Sequence, residues 1–428
     1  MFSIGGTSGP RLGPRFHQVW ASVTVSSLGD GMRFVALPLL AAQLTSDPRQ
    51  IAAVSFAQQV PWLLLGLASG ALADRFDRRR ILWTVDAART VIVGALALAV
   101  ATGAVTIPLL AAAGFLLGCG QTLYNGGWSG MVPALVEPTA RTKANARLQA
   151  SSLITDTLLG TPLGALLFGI AAALPFVVDT ASFAVAAALV FLLPGDFRPR
   201  LHATPTSLAV LRRDTAEGVR WLWQHHLLRR LCLVSGTTNL VGGGLIAILV
   251  LYARHALGLT GMGFALLVAV FAIGGIAGAT ATPRLTARYG PPRILKFATV
   301  GIALAAAAVG SATSGLIAGL FIAVYGAANL VWNVTAVSLR QSLVPTELLG
   351  RVTMAYQMIT GSAEALGAAA AGLSAHAFGL RAPFFAGAAL LAAASLVSTR
   401  PARSTAQPVS ASLLDTHPTP DGTAAPQK

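Results

Sequence analysis

Charge is scarce in this chain, and acidic charge is scarcest. Only 11% of its 428 residues are charged, with 15 Asp and Glu against 30 Lys and Arg. A water-soluble protein carries charge on roughly a quarter of its residues, so a soluble fold is excluded. Cysteine is nearly absent. Cys119 and Cys232 lie far apart, each in or beside an apolar run, which leaves no basis for a disulfide framework or a Cys-based metal cluster. The seven histidines form no ligand cluster, and His225-His226 stand beside arginines, which repel cations; no metal is expected. The G-x-x-x-x-G-K-[ST] motif is missing, so direct ATP drive is not supported. Neither H-E-x-x-H nor a G-x-S-x-G elbow occurs, and the chain is not expected to be an enzyme.

What the chain does have is apolar length. Hydrophobic residues make up 54% of it and its mean hydropathy is +0.69. A helix needs about 20 apolar residues to cross the hydrocarbon of a bilayer. Twelve such stretches are predicted. The first six lie at about 19–44, 51–73, 83–103, 107–132, 148–172 and 175–194. The second six lie at about 231–253, 262–283, 297–312, 315–339, 352–378 and 382–399. The first is too long for a signal-peptide core and contains Asp30 and Arg33, so it reads as an uncleaved helix. The expected architecture is an all-α integral membrane protein with twelve transmembrane helices in two pseudo-symmetric six-helix halves. Residues 1–194 form the first half, 195–230 a polar and basic linker, 231–399 the second half, and 400–428 a disordered tail rich in Pro, Ser, Thr and Ala.

The basic residues set the orientation. Of the 30 Lys and Arg, Arg33 and Arg89 fall inside spans, and Arg49, Arg254 and Arg381 fall in loops of one side; the other 25 all fall on the opposite side. Such a bias places that side, with both termini and the linker, in the cytoplasm of a cell inner (plasma) membrane. The net charge of +15 is thereby explained without nucleic acid, and no nucleic-acid partner is expected. The lipid bilayer is the large partner implied.

The halves repeat. Asp74 to Leu82 aligns with Ala287 to Leu295, and Val132-Pro133 with Val344-Pro345, each pair separated by close to half the chain. Paired six-helix halves of parallel topology imply a central cavity opened alternately to either side.

Within the first copy, Gly70-x-x-x-Asp74-Arg75-x-x-Arg78-Arg79-Arg80 resembles the loop 2–3 signature of the major facilitator superfamily, with Asp77 where the family pattern has Gly. Further stretches resemble the enterobactin-exporter and macrolide-efflux branch. They are Gly29-Asp30-Gly31 with Ala36-Leu37-Pro38-Leu39-Leu40, Asp179-x-x-Ser182-Phe183, Glu217-Gly218-x-Arg220, and Leu349-Gly350-Arg351-Val352. The resemblance implies a monomer that exports small amphipathic molecules, such as antibiotics or siderophores, in exchange for protons. The Gly-Pro followed by paired glycines of proton-antiporting members occurs here in displaced form, as Gly160-Thr161-Pro162-Leu163-Gly164 and Gly169; its small residues still suit close helix packing.

Candidate functional residues follow from charge and polarity inside spans. An ionised side chain at mid-bilayer costs roughly 2.5–3.5 kcal/mol, so such residues are paired or used. Asp30 and Arg33 lie three residues apart on one helix face and are either a structural ion pair or a coupling site. Asp156 and Glu364 sit mid-span at equivalent places in the two halves, with no basic neighbour in sequence, and are candidates for proton or substrate coupling. Asp179 reads as a hydrogen-bond partner of Ser182. Gly70, Asp74, Arg75 and Arg78 are candidates for a cytoplasmic gate, supported by the Asp86 and Arg89 pair. Gln121, Asn125 and Trp128 share one face of the fourth span; Tyr325, Asn329, Trp332 and Asn333 share one face of the tenth. In the fold that the resemblance implies, those helices line the path together with the first and the seventh, which carries Asn239. Amides and aromatics in one cavity suit an amphipathic solute.

No cofactor is expected; the proton motive force would supply the energy. A proton-coupled or facilitative importer, or a lipid transporter, fits the same helices, because direction is not written in them. A non-transporting membrane sensor would bring a soluble domain, for which the linker and tail are too short.

Overall fold

The computed structural model describes residues 12–73, 77–128, 131–137, 140–195, 197, 208–345 and 348–398. Its regular elements are all helical. The first half comprises α1 (Pro14–Leu44), α2 (Pro48–Ala73), α3 (Arg78–Ala101), α4 (Ile107–Trp128), the short α5 (Met131–Leu135), α6 (Arg141–Leu153), α7 (Thr161–Ile170) and α8 (Leu174–Phe191). A π-helical turn, Ile154–Gly160, joins α6 to α7 as one rod. After α9 (Leu208–Gln224) come α10 (His226–Leu251), extended by a π turn at Tyr252–Ala256, then α11 (Gly261–Tyr289) and α12 (Pro291–Ser311). The second half closes with α13 (Gly315–Leu343), α14 (Leu349–Phe378) and α15 (Ala382–Ser398).

Among the described residues, nine helices are long and apolar enough to cross a membrane. They are α1, α3, α4, the α6–α7 rod, α8, α10, α11, α12 and α13. The remaining three of the twelve predicted spans correspond to α2, α14 and α15, which pack in the same bundle: α2 lies against α4 and α14, α14 against α10, and α15 against α12. Large apolar side chains such as Leu316, Ile170 and Leu396 point outward, while Asp86, Asp179 and Arg89 are buried. That inversion of the soluble pattern is what a lipid surround demands.

The boundary of the linker moves. The linker was expected to run to Arg230, but α10 begins at His226 and the linker contains the amphipathic α9. Leu222 of α9 is buried, and Glu217 accepts a 2.8 Å hydrogen bond from Arg351 at the start of α14, which fastens the linker helix to the second half. Asp77 also finds a local reason. It is the N-cap of α3, its carboxylate accepting from the Arg79 backbone N–H at 2.9 Å, so an acid here satisfies a helix end that a glycine would leave to water. The π turn follows from Pro162. Proline donates no backbone hydrogen bond, so the helical ladder slips by one residue before it and the Thr161 N–H reaches back to the Asp156 carbonyl.

Glycines set how closely the helices of each half approach. A Cβ on Gly31 of α1 would overlap the backbone carbonyl of Asp156, and one on Gly243 of α10 would overlap that of Glu364. Gly164 packs in the same way on the Met32 backbone, and Gly367 on the Leu240 carbonyl. The two halves therefore repeat one close crossing, α1 with the α6–α7 rod and α10 with α14. Gly169 has nothing within 4 Å of a built Cβ. We expect Gly31→Ala to destabilise the purified protein by about 1–3 kcal/mol through overpacking. Gly169→Ala should be neutral or slightly stabilising, since alanine is the better helix former; thermal unfolding of both in detergent checks the contrast.

Candidate functional site

The bundle encloses two cavities that share Phe34 and Gln59 in their walls. The first, about 570 Å³, lies in the first half and carries the charge. On α1, Asp30, Arg33 and Phe34 follow at i, i+3 and i+4, one helix face. Arg33 pairs with Asp30 on its own helix, and its Nε donates at 2.9 Å to Oδ2 of Asp179 on α8. Asp179 also accepts from the Ser182 hydroxyl at 3.4 Å. Gly29 makes room for this, because a Cβ there would overlap the Ser182 hydroxyl and the Asp179 carboxylate. Asp179 is thus more than a partner of Ser182: it is the second carboxylate on Arg33, 146 residues away in sequence. Asp156 lines the same lobe from the π turn.

Arg89 completes the charged wall. Its Nη2 donates to Gln121 Oε1 at 2.8 Å, and Gln121 Nε2 donates on to Asn125 Oδ1 at 3.2 Å. The guanidinium lies 5.2 Å from the Tyr124 ring centroid and 5.3 Å from that of Phe183, a placement that favours a cation. Asp86 stands behind it, fully buried, at 3.7 Å from Arg89 Nη1.

The second cavity, about 300 Å³, lies in the second half and is mainly apolar. Asn239 and Gly242 of α10, Phe271 of α11, Tyr325, Asn329, Trp332 and Asn333 of α13, and Glu364 of α14 contribute to its wall. Among the described residues, the Tyr325 hydroxyl and Trp332 Nε1 are buried without a hydrogen-bond partner. The Asn239 amide donates to the Ser235 carbonyl at 2.9 Å, which leaves its side-chain oxygen as an acceptor. Glu364 accepts from Gln59 Nε2 at 2.9 Å.

The sequence-predicted candidates thus gather into two groups. Asp30, Arg33, Arg89, Gln121, Asn125 and Asp156 line the first lobe, and Asn239, Tyr325, Asn329, Trp332, Asn333 and Glu364 line the second. Arg78 opens α3 and Gly70 lies in the last turn of α2. Asp74 and Arg75 lie outside the described residues, as does the side chain of Trp128, the last residue of α4. Sequence reasoning passed over Gln58 and Gln59, although two adjacent amides within an apolar run were a readable signal. It also passed over the end of the bundle opposite the basic loops. There Asp47 lies 3.5 Å from His376 of the other half, and Arg254 Nη1 donates to the Ala42 carbonyl at 3.2 Å. Arg49 donates to Asp47 from its side chain and backbone, and holds that carboxyl below the usual carboxylate range. The halves are thus joined at this far end, while Asn145 and Leu148 carry the wall of the first lobe toward the basic end.

A family model described as "Transmembrane secretion effector" matches residues 7–420. The uncharacterized MFS-type transporter YfiS of Bacillus subtilis is 27% identical over 399 residues, covering 88% of this chain and 91% of that protein. The enterobactin exporter EntS of Citrobacter koseri is 25% identical over 365 residues, covering 84% and 85%. Among solved structures, the nucleoside transporter NupG superposes with a TM-score of 0.74 at 12% identity, over 90% of this chain and 98% of that one. A bacterial homologue of the iron transporter ferroportin, in an inward-facing state, gives 0.71 at 18% identity over 90% and 99%. With a fold, a cavity at the meeting of two halves and a family match along nearly its whole length, the chain belongs to the transmembrane secretion effector family of the major facilitator superfamily and is a membrane transporter, not an enzyme.

Proposed function

We propose that the chain exports small amphipathic molecules from the cytoplasm in exchange for protons, by alternating access about the two-lobed cavity. The observation that carries this reading is the division of labour between the lobes. One wall holds fixed charge and amides, the other apolar and aromatic surface with unpartnered donors at Tyr325 and Trp332. A solute with a polar end and an apolar body fits both at once. The similarity to an enterobactin exporter favours export and a natural-product cargo.

The energy source is the proton gradient, with no cofactor. One charge moving inward down 100 mV supplies roughly 2.3 kcal/mol before any pH difference, which sustains a tens-fold gradient of a neutral solute. Asp30, Asp156 and Glu364 are the carboxyls that border the cavity and can carry that proton. The protein sits in the inner (plasma) membrane with both termini and the basic end in the cytoplasm, the orientation the loop charges favour. It works as a monomer, since one chain supplies both lobes.

In inverted vesicles containing the protein, efflux substrates should dissipate an imposed pH gradient, read with a pH-sensitive dye. Absence of a response to every compound that the protein protects cells against would sink proton exchange. Glu364→Gln should abolish uphill transport but leave solute exchange intact, measured by counterflow in proteoliposomes. Arg33→Met should be strongly destabilising, by about 3–5 kcal/mol, because it strands Asp30 and Asp179 without their cation. Adding Asp179→Asn should restore part of that loss in a thermal melt.

A further inference from the structure

Gln59 is the point where the two lobes, and the two halves, meet. It belongs to α2 of the first half, lines both cavities, and donates to Glu364 on α14 of the second half. Its neighbour Gln58 behaves differently, packing over Gly114 and Gly118 of α4 within its own half. The bond has a place in a series. Along the antiparallel pair α2 and α14, Asp47, just before α2, meets His376, Ala52 meets Gly372, and Gln59 meets Glu364. As one partner's number rises the other's falls in step, so these are successive rungs that close the far end, and Gln59–Glu364 is the innermost.

This rung differs from the others in what can break it. Offered to a carboxylate, the amide N–H makes a charge-assisted bond, roughly twice as strong as a neutral one. A proton on Glu364 makes the bond neutral. A solute that occupies both lobes competes for Gln59 directly, because Gln59 forms part of both walls. We propose that the Gln59–Glu364 bond locks the empty carrier with its far end closed, and that a proton on Glu364 or a solute spanning the lobes releases it. The inference rests on the proton-coupled reading above. It gives that reading what any exchanger needs, a reason for the empty form not to turn over.

The sign with pH is distinctive. In the second lobe, Glu364 shares the wall with Phe34 of α1, Gln59 of α2, Thr238, Asn239 and Gly243 of α10, and Tyr325, Asn329 and Asn333 of α13, of which only Tyr325 is titratable. On the packed helices the other charged and titratable groups stand toward the ends: Arg351 and His376 on α14, Asp47 and Arg49 at α2, and His226, Arg229, Arg230, Arg254 and His255 on α10 and the π turn that follows it. Asp30, Arg33 and Asp156 face the first lobe. Protonating His376 strengthens its pairing with Asp47 and tightens the far end, whereas protonating Glu364 loosens it. Opening of the far end on acidification therefore points to the inner rung.

The test uses the full chain in lipid nanodiscs without added solute, with Cys119→Ala and Cys232→Ala. Spin labels go on Gln50→Cys and Phe378→Cys, exposed positions on either side of the far end. Distances are measured by pulsed electron resonance from pH 8 downward. With Gln59 present, a short-distance population should dominate at pH 8 and give way to a longer one as pH falls. Gln59→Met, which keeps the length and removes the amide, should raise the long-to-short ratio at pH 8 about tenfold, the size expected for losing one hydrogen bond to a charged group, and flatten its pH dependence. Glu364→Gln should do the same and serves if Gln59→Met does not fold; His376→Gln should leave the pH response in place. If Gln59→Met keeps the parent distances at every pH while Glu364→Gln has lost uphill transport, the lock is overturned and the proton-coupled reading stands. If Glu364→Gln still pumps uphill, the coupling proton is carried by Asp30 or Asp156 and the lock on Glu364 falls.

Discussion

A charge inside a bilayer must find its counter-charge within the protein, and in this chain that requirement converges on Arg33. Asp30 reaches it along α1 and Asp179 reaches it from α8. The two glycines flanking Asp30 make the arrangement possible. Without a Cβ at Gly29, α8 comes close enough for Asp179 and Ser182 to touch α1; without one at Gly31, the π turn comes close enough for Asp156 to border the same cavity. Three adjacent residues thus set the positions of two neighbouring rods and one half-buried carboxylate. Losing a partner from such a pair costs more than the pair itself contributes, because the remaining charge is left in a medium that cannot solvate it. The first half is consequently held together by ion pairs that lie within it.

The second half repeats the backbone plan with different chemistry. Gly243 and Gly367 hold α10 against α14 as Gly31 and Gly164 hold α1 against the α6–α7 rod. Where the first lobe is lined by paired ions, the second is lined by amides, aromatic rings and the single acid Glu364. This asymmetry suits a carrier for amphipathic solutes. A fixed charged wall orients the polar end of the solute, and an apolar wall with a few donors accepts varied bodies with small loss of fit. It also separates the carboxylates by role. Asp30 and Asp179 share a guanidinium, and Asp86 stands against Arg89. Among the described residues, Glu364 meets a neutral amide and no cation.

The fold was legible in the sequence because membrane spans follow from length and hydropathy alone, although several helices extend up to about two turns beyond the apolar runs. The cavity faces were legible for a similar reason: polar residues spaced three or four apart in an apolar helix share a face, as Gln121 and Asn125 do, or Tyr325, Asn329 and Trp332. Partnership across the bundle was not legible. Nothing in local periodicity connects Arg33 to Asp179 or Gln59 to Glu364, since each bond depends on how rods distant in sequence are set together. The π turn stands between these cases. Pro162 announces a disturbed ladder, but only the packing of Gly31 on Asp156 shows why the disturbance is kept at that residue.

The division between paired and unpaired carboxyls bears on how exchange could work at all. A transporter that moves a proton one way and a solute the other must distinguish its empty form from its loaded forms by a free-energy difference felt where the halves meet. A carboxylate that already shares an arginine within one half is poorly suited to that task, because the bond it makes does not cross the moving interface. Glu364 is placed differently. Its hydrogen bond joins α14 to α2, and the donor, Gln59, forms part of both lobes. Charge on that one group is therefore felt at once by the interface and by the solute site. A change of about 1.4 kcal/mol there shifts the balance of the two states tenfold. That is within the range of a single charge-assisted hydrogen bond, so one rung between two helices is strong enough to set which way an empty carrier faces.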